Sequence, residues 1–222
     1  MNSAKSLGLL LVGVLALAGC NTSINSSIVV QDGESRSGAM TSVNGDVSIG
    51  KDCTIGGTSR SVNGYVRVGD RSRVEDLSTV NGSIRVGEGV IVDGNVESVN
   101  GTVDLGTGSE VSGKVATVNG SIRLERTVVQ RDVRTVHGDI RLLDNSVVKG
   151  DVVIEGRFVS TGRSQPLEIE VAGGSIIEGD VVVRRDRVKV RLILRDGGKV
   201  LGQVDGAEVI DETAAQPVAE VD

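Results

Sequence analysis

His137 is the only histidine of the chain, and an imidazole in a cleft can serve as a general base. One imidazole excludes a three-histidine zinc centre and any site that needs a histidine pair. Five asparagines, Asn44, Asn63, Asn81, Asn100 and Asn119, precede it at nearly even steps, and His137 takes the sixth place. Such a column can present a ligand-binding strip or bond to itself as an amide ladder, and the ladder is the expectation for all six. Arg157, Arg163, Arg184, Arg185 and Arg187 are bunched in an otherwise acidic chain, with Lys189 and Arg191 following. Guanidinium groups match phosphate and carboxylate geometry, so this cluster is a candidate anion-binding patch. Asp46, Asp93, Asp104 and Asp139 could ligate calcium, but no Gly-Gly-x-Gly-x-Asp nonapeptide accompanies them. They read as solvated faces, and no metal or cofactor is expected. The only aromatics are Tyr65 and Phe158, which argues against stacking recognition of bases or sugars. A net charge of −6 gives no overall attraction to nucleic acid.

The two cysteines have different surroundings. Lys5 precedes an apolar run from Leu7 to Gly19 that ends at Cys20. The run is too short to span a bilayer as a helix and suits the core of a signal peptide. Leu17-Ala18-Gly19-Cys20 resembles the bacterial lipobox. That resemblance implies a lipoprotein signal over residues 1–19, lipid on the Cys20 thiol and anchoring in the cell envelope. Asn21, where an aspartate would favour the inner membrane, implies the outer membrane, facing the periplasm. Each buried methylene adds about 0.8 kcal/mol, so several acyl chains hold a folded domain stably. Cys53 then has no disulfide partner within the chain, and is expected to be a small buried residue.

All these positions must be held by some framework, and the repeat indicates which. Val-Asn-Gly occurs at 43–45, 62–64, 80–82, 99–101 and 118–120, and returns as Val136-His137-Gly138. A finer step of six runs through Val62, Val68, Val74, Val80, Val86 and Val92. It extends upstream to Val43, Ile49 and Ile55. Downstream, with an extra residue before Val99 and before Val118, it runs through Val99, Leu105, Val111, Val118 and Leu124, slips near Val129 and Gln130, and resumes at Val136, Leu142, Val148 and Ile154. Four positions after most of these stands another small or aliphatic residue, such as Val47, Cys53, Ser59, Ser78, Ile84 or Val96. A helix would repeat near 3.6 residues and would not tolerate this density of Asn-Gly. Three sixes per larger unit predict an all-β, single-stranded triangular β-helix, a β-solenoid. The first and fifth residues of each six would point inward, with asparagine and glycine making corners through positive φ. About eight coils of 18–19 residues are expected over 43–206, roughly 38 Å of stack at ~4.8 Å per coil. Insertions near 159–169 and 184–188 would leave one corner of neighbouring coils and bring the arginines together. Residues 20–42 read as a polar tether with a short strand near 27–30, and 207–222 as a disordered acidic tail that caps that end. The spacing leaves the handedness open.

Two stretches carry a further likeness: Ile84-Arg-Val-Gly-Glu-Gly-Val-Ile-Val-Asp-Gly-Asn-Val96 and Ser146-Val-Val-Lys-Gly-Asp-Val152. Over about residues 43–206 the pattern resembles bactofilins, the polymer-forming bacterial scaffolds. The resemblance implies a right-handed β-helix that assembles end to end without nucleotide. The chain is also similar to envelope proteins of unknown function with repeated Val-Asn-Gly coils. The signal segment departs from the bactofilin pattern and implies work outside the cytoplasm. The expected function is a non-enzymatic, lipid-anchored envelope scaffold, self-associating through its ends. The alternative is a binding protein whose arginine insertions hold an anionic glycan or lipid. Third stands an acyltransferase with His137 as base, because hexapeptide-repeat acyltransferases resemble this spacing too.

Overall fold

The computed structural model describes residues 21–155, 165–184 and 188–213. Alternation of aliphatic and polar residues gives short strands with one buried face, as in Ile84-Arg85-Val86. Successive strands turn away from each other and pair with their counterparts one coil along. The result is three parallel sheets of ten, ten and nine strands, a β-solenoid of about nine turns. Among the described residues every regular element is a strand. A typical coil adds Leu77–Asn81 to the first sheet, Ile84–Val86 to the second and Ile91–Val92 to the third.

One apolar core runs the length of the stack. In the second sheet Val66 and Val68 lie under Ile84 and Val86, then Val103 and Leu105, Ile122 and Leu124, Ile140 and Leu142, all buried. Each fully buried side chain of this size contributes roughly 1.5–3 kcal/mol. Ordering a coil costs roughly 1–2 kcal/mol per backbone residue, so coils are stable only in a stack.

The structure corrects four expectations. First, the valine of Val-Asn-Gly does not point inward. The buried residue is the hydroxyl before it: Ser42, Ser61, Thr79, Ser98, Thr117 or Thr135. The corner backbone explains the choice, because its carbonyl is enclosed and requires a donor. Ser61 Oγ donates to Gly45 O at 2.8 Å, Thr79 Oγ1 to Gly64 O at 3.0 Å and Ser98 Oγ to Gly82 O at 3.1 Å. In the same coil Leu77, not Ser78, faces the core, because that coil is one residue shorter.

Second, residues 21–42 are not a tether. They form the first coil and the opening strand of the second: Asn21–Ser23, Ile28–Val30 and Ser35–Arg36 pair with the coil above, which begins at Met40–Ser42. Ile28 and Val30 supply the core of the first coil, against Val47 and Ile49 of the second. Third, the last residues are not all tail. Glu208–Asp211 pairs with Arg191–Leu194, placing Val209 beside the core residue Leu192. The solenoid therefore runs past residue 206 at one end and starts before 43 at the other.

Fourth, the corner glycines are not selected by positive φ. The left-handed positions cluster after the second sheet, at Gly33, Asp52, Arg71, Gly89, Gly108, Arg126 and Asn145. Gly45, Gly64, Gly82, Gly101, Gly120 and Gly138 are instead required by close approach of neighbouring coils. A Cβ on Gly45 would lie 2.6 Å from Ser26 O, and on Gly101 2.5 Å from the Gly82 carbonyl carbon.

Candidate functional site

The asparagine column is a continuous chain of amides on the corner between the first and second sheets. Asn44 Nδ2 donates to Asn25 Oδ1 at 2.6 Å. Asn63 donates to Asn44, Asn81 to Asn63, Asn100 to Asn81 and Asn119 to Asn100, each at 2.8 Å. The spacing of parallel strands, about 4.8 Å, is what lets one amide reach the next. Each interior amide thus donates one bond and accepts one within the column, leaving one N–H to solvent. Asn25 begins the series. The degenerate triplet Ile24-Asn25-Ser26, one coil length before Asn44, was the available signal for it. His137 occupies the next rung, half-buried, and its backbone N–H donates to Val118 O at 2.9 Å.

The dispersed acids cap backbone amides or pair with arginines. Asp46 Oδ1 accepts from Tyr65 N at 2.9 Å, and its other oxygen from Arg67 Nη1 at 2.7 Å. The Arg67 guanidinium lies 4.6 Å from the centre of the Tyr65 ring. Asp139 accepts from Glu168 N at 3.2 Å, while Asp93 pairs with Arg73 at 2.6 Å and Asp104 with Arg85 at 3.8 Å. A second column does the same work before the first sheet. Asp76, Asn95, Asp132, Asp151 and Asp180 each accept from a backbone N–H in the following coil. Among the described residues no cluster of three or more His, Cys, Asp or Glu could hold a metal ion.

These bonds shift the carboxylates. The Tyr65 amide holds Asp46 below the ordinary value of 3.8, with Arg67 adding to it against the opposing effect of burial. Burial pushes Asp132 up, but the Arg134 guanidinium and the Asp151 amide outweigh it, and the net shift is downward. Depressed folded-state values mean stability that is fully present above the unfolded value near 3.8 and lost as the pH falls through the lower folded values. The urea midpoint is therefore expected to hold from neutrality to about pH 5 and to drop steadily below about pH 4. A titration by circular dichroism checks this, and Asp46→Asn should flatten part of the drop.

Cys53 belongs to an inner column otherwise made largely of hydroxyls. Its thiol donates to Gln31 O at 3.1 Å, in the position where Ser72 and Ser109 in later coils donate to Gly50 O and Gly87 O. It is buried, as expected of a small interior residue.

Of the arginine cluster, only Arg184 is among the described residues. It is exposed, and its backbone N–H bonds Ile154 O at 2.9 Å. Cys20, Arg157, Arg163, Arg185 and Arg187 lie outside them. The long steps both fall between the first and second sheets in consecutive coils, but the first does not reach residue 169 as expected: Leu167–Val171 is a strand with Leu167 and Ile169 in the core, because this apolar alternation pairs with Val190–Leu194. Ile140 is paired with Ile169, and Ile169 with Leu192, both wider steps along the chain than the one from Ile122 to its partner Ile140.

A shallow groove that the sequence did not reveal runs along the first sheet, with a volume of about 410 Å³. The valines of the repeat, Val80, Val99, Val118 and Val136, form one wall. Arg60, Glu97, Lys114 and Arg134 form the other, over Ser78 and Ala116. Three of those four charges are paired at home: Lys114 bonds Glu97 at 2.8 Å, and Arg134 bonds Asp132 and Glu155 at 2.7 Å each. Compared with known proteins, the chain matches no family model, no curated protein and no solved structure, so its described fold is that of a β-solenoid and nothing narrower.

Proposed function

We propose that this chain is a non-enzymatic scaffold of the bacterial envelope, anchored by lipid on Cys20 and able to pair end-on with further copies. The observation that carries the reading is the contrast between the sides and the far end of the rod. Along the sides, the asparagine and aspartate columns turn polar groups inward upon the stack itself. At the far end, Val200, Val204 and Val209 stand in register with the buried residues Ile177, Val181 and Leu192, yet among the described residues no coil covers them. Apolar core register and unpaired strand edges together form a template for another β-structure. The bactofilin-like spacing supports assembly of that kind, the lipobox-like end of the leader supports a lipid anchor, and Asn21 after the cysteine supports the outer membrane, facing the periplasm.

Anchoring has its own test. Cys20→Ala should move the protein from the membrane fraction to the soluble fraction and abolish incorporation of labelled palmitate. Unchanged membrane fractionation would contradict the anchor. The second reading is an anion-binding surface at the inserted corner, supported by its two consecutive openings and exposed Arg184. Replacement of Arg184, Arg185 and Arg187 by serine should then abolish binding to lipopolysaccharide. Undiminished binding would refute it.

A further inference from the structure

Cys20 is bonded directly to the first strand, Asn21–Ser23, whose residues pair with Met40–Ser42. With lipid on Cys20, a single Cα–Cα step of about 3.8 Å separates the anchor from the folded solenoid. The interfacial layer on each side of the hydrocarbon is only about 5–7 Å thick. The first coil must therefore rest at that layer. A long tether, which would have let the rod drift free, is replaced by structure.

The surface of the first coil suits this place. Ile24 is 68% exposed and Val29 is 54% exposed, both more open than Val99 and Val118 on the flank at 39% and 37%. The end of the core is covered by a polar residue. Arg36 stands in register with the core residue Ile55, and its Nη2 bonds Val29 O at 3.5 Å and Glu34 Oε2 at 3.2 Å. Arg36 thus presents a charged group at headgroup depth, not an apolar core that would need another coil. The edges of Asn21–Ser23, Ile28–Val30 and Ser35–Arg36, which no other strand pairs among the described residues, would face a layer of water and polar headgroups that can satisfy them. The flank is a poorer seat. Its valine wall runs beside Arg60, Glu97, Lys114 and Arg134, whose charges would be desolvated if the rod lay down.

We propose that the lipidated protein stands on the bilayer on its first coil. Ile24 and Val29 enter the interface, and the other end is held away by about nine coils, ~43 Å. The proposal rests on lipidation of Cys20. It closes the anchored end to further pairing and leaves the strands at the other end, which no coil covers among the described residues, as the assembly edge.

The test uses the full lipidated protein in a Cys53→Ser background, a change that the serines of neighbouring coils already accommodate. Single cysteines at Ile24, Val29, Val118 and Val209 are labelled with an environment-sensitive dye. The proteins are reconstituted into phosphatidylethanolamine–phosphatidylglycerol vesicles carrying a headgroup nitroxide quencher. The labels at 24 and 29 should shift to the blue and lose most of their fluorescence to the quencher. Those at 118 and 209 should behave as in free solution. Vesicle flotation is recorded in the same samples. Flotation with unquenched labels at 24 and 29, or with the label at 118 quenched equally, would overturn the upright seating while leaving the anchor intact. Failure to float would overturn both.

Discussion

Gly101→Ala is expected to cost about 3 kcal/mol of stability, against about 1–2 kcal/mol for Gly108→Ala. The ordering opposes intuition based on φ, because Gly108 is the left-handed residue, at φ 74°, and Gly101 is not. Around Gly108 there is room: the nearest atom to an added Cβ is the Gly89 nitrogen, 4.0 Å away. Around Gly101 the obstacles are backbone. The added Cβ would lie 2.5 Å from the Gly82 carbonyl carbon, closer still to its oxygen, and 3.0 Å from Ser83 N. That corner cannot open locally. Gly101 N–H bonds Asn119 O at 3.0 Å, and Gly82 N–H bonds Asn100 O at 3.0 Å, so the coils on both sides hold the spacing. Urea unfolding of both variants, followed by circular dichroism, measures the difference. Equal losses would mean that the corner yields and that close approach does not select the glycine column.

Excision of residues 82–100 should leave a folded protein one coil shorter. The cut removes one full coil and joins Asn81 to Gly101, the residue that already follows its own partner Asn100 on the same corner. Asn81 would then meet Asn119, Gly101 would sit on Gly64, and Val103 would lie between Val66 and Ile122. Every column closes again, because each coil interacts chiefly with its neighbours. Excision of residues 82–90 gives the opposite result. It removes strand Ile84–Val86 and fuses Asn81 to Ile91, so the three sheets above and below no longer register. The first variant should keep its β-type circular dichroism and a cooperative thermal transition. The second should lose both and precipitate. Collapse of the whole-coil deletion would show that the coils are not interchangeable units.

The strand residues were legible in the sequence where the side chain alone decides the outcome. Ile84, Val86, Ile122 and Leu124 fall on the inward positions of the six-step pattern and are buried. The amide column was legible for the same reason, since identical residues at a coil-length spacing must stack. Legibility failed where backbone chemistry decides. Thr79 lies inside and Val80 outside because a buried Gly64 carbonyl needs a hydroxyl, and hydropathy alone ranks these two residues the other way. The first coil was hidden because Ile24-Asn25-Ser26 lacks both the valine and the glycine of the later triplets. It was given away only by standing one coil length before Asn44. Arg36 could not have been read at all. Its place in the core register follows from its pairing with Ile55, and only the end of a stack tolerates a guanidinium there. The groove beside Val99 and Val118 was also hidden, since its walls come from residues one, two and three coils apart.

Electron microscopy combined with light-scattering mass, on protein lacking residues 1–20, tests the scaffold reading most directly. Pairing through the strands around Val200, Val204 and Val209 predicts dimers, with a particle length of about 86 Å against about 43 Å for a single rod. Val209→Glu, which puts a charge into that uncovered core position, should return the protein to single rods. A single monomeric mass at every concentration for the unmodified sequence, with rods of one length only, would contradict it.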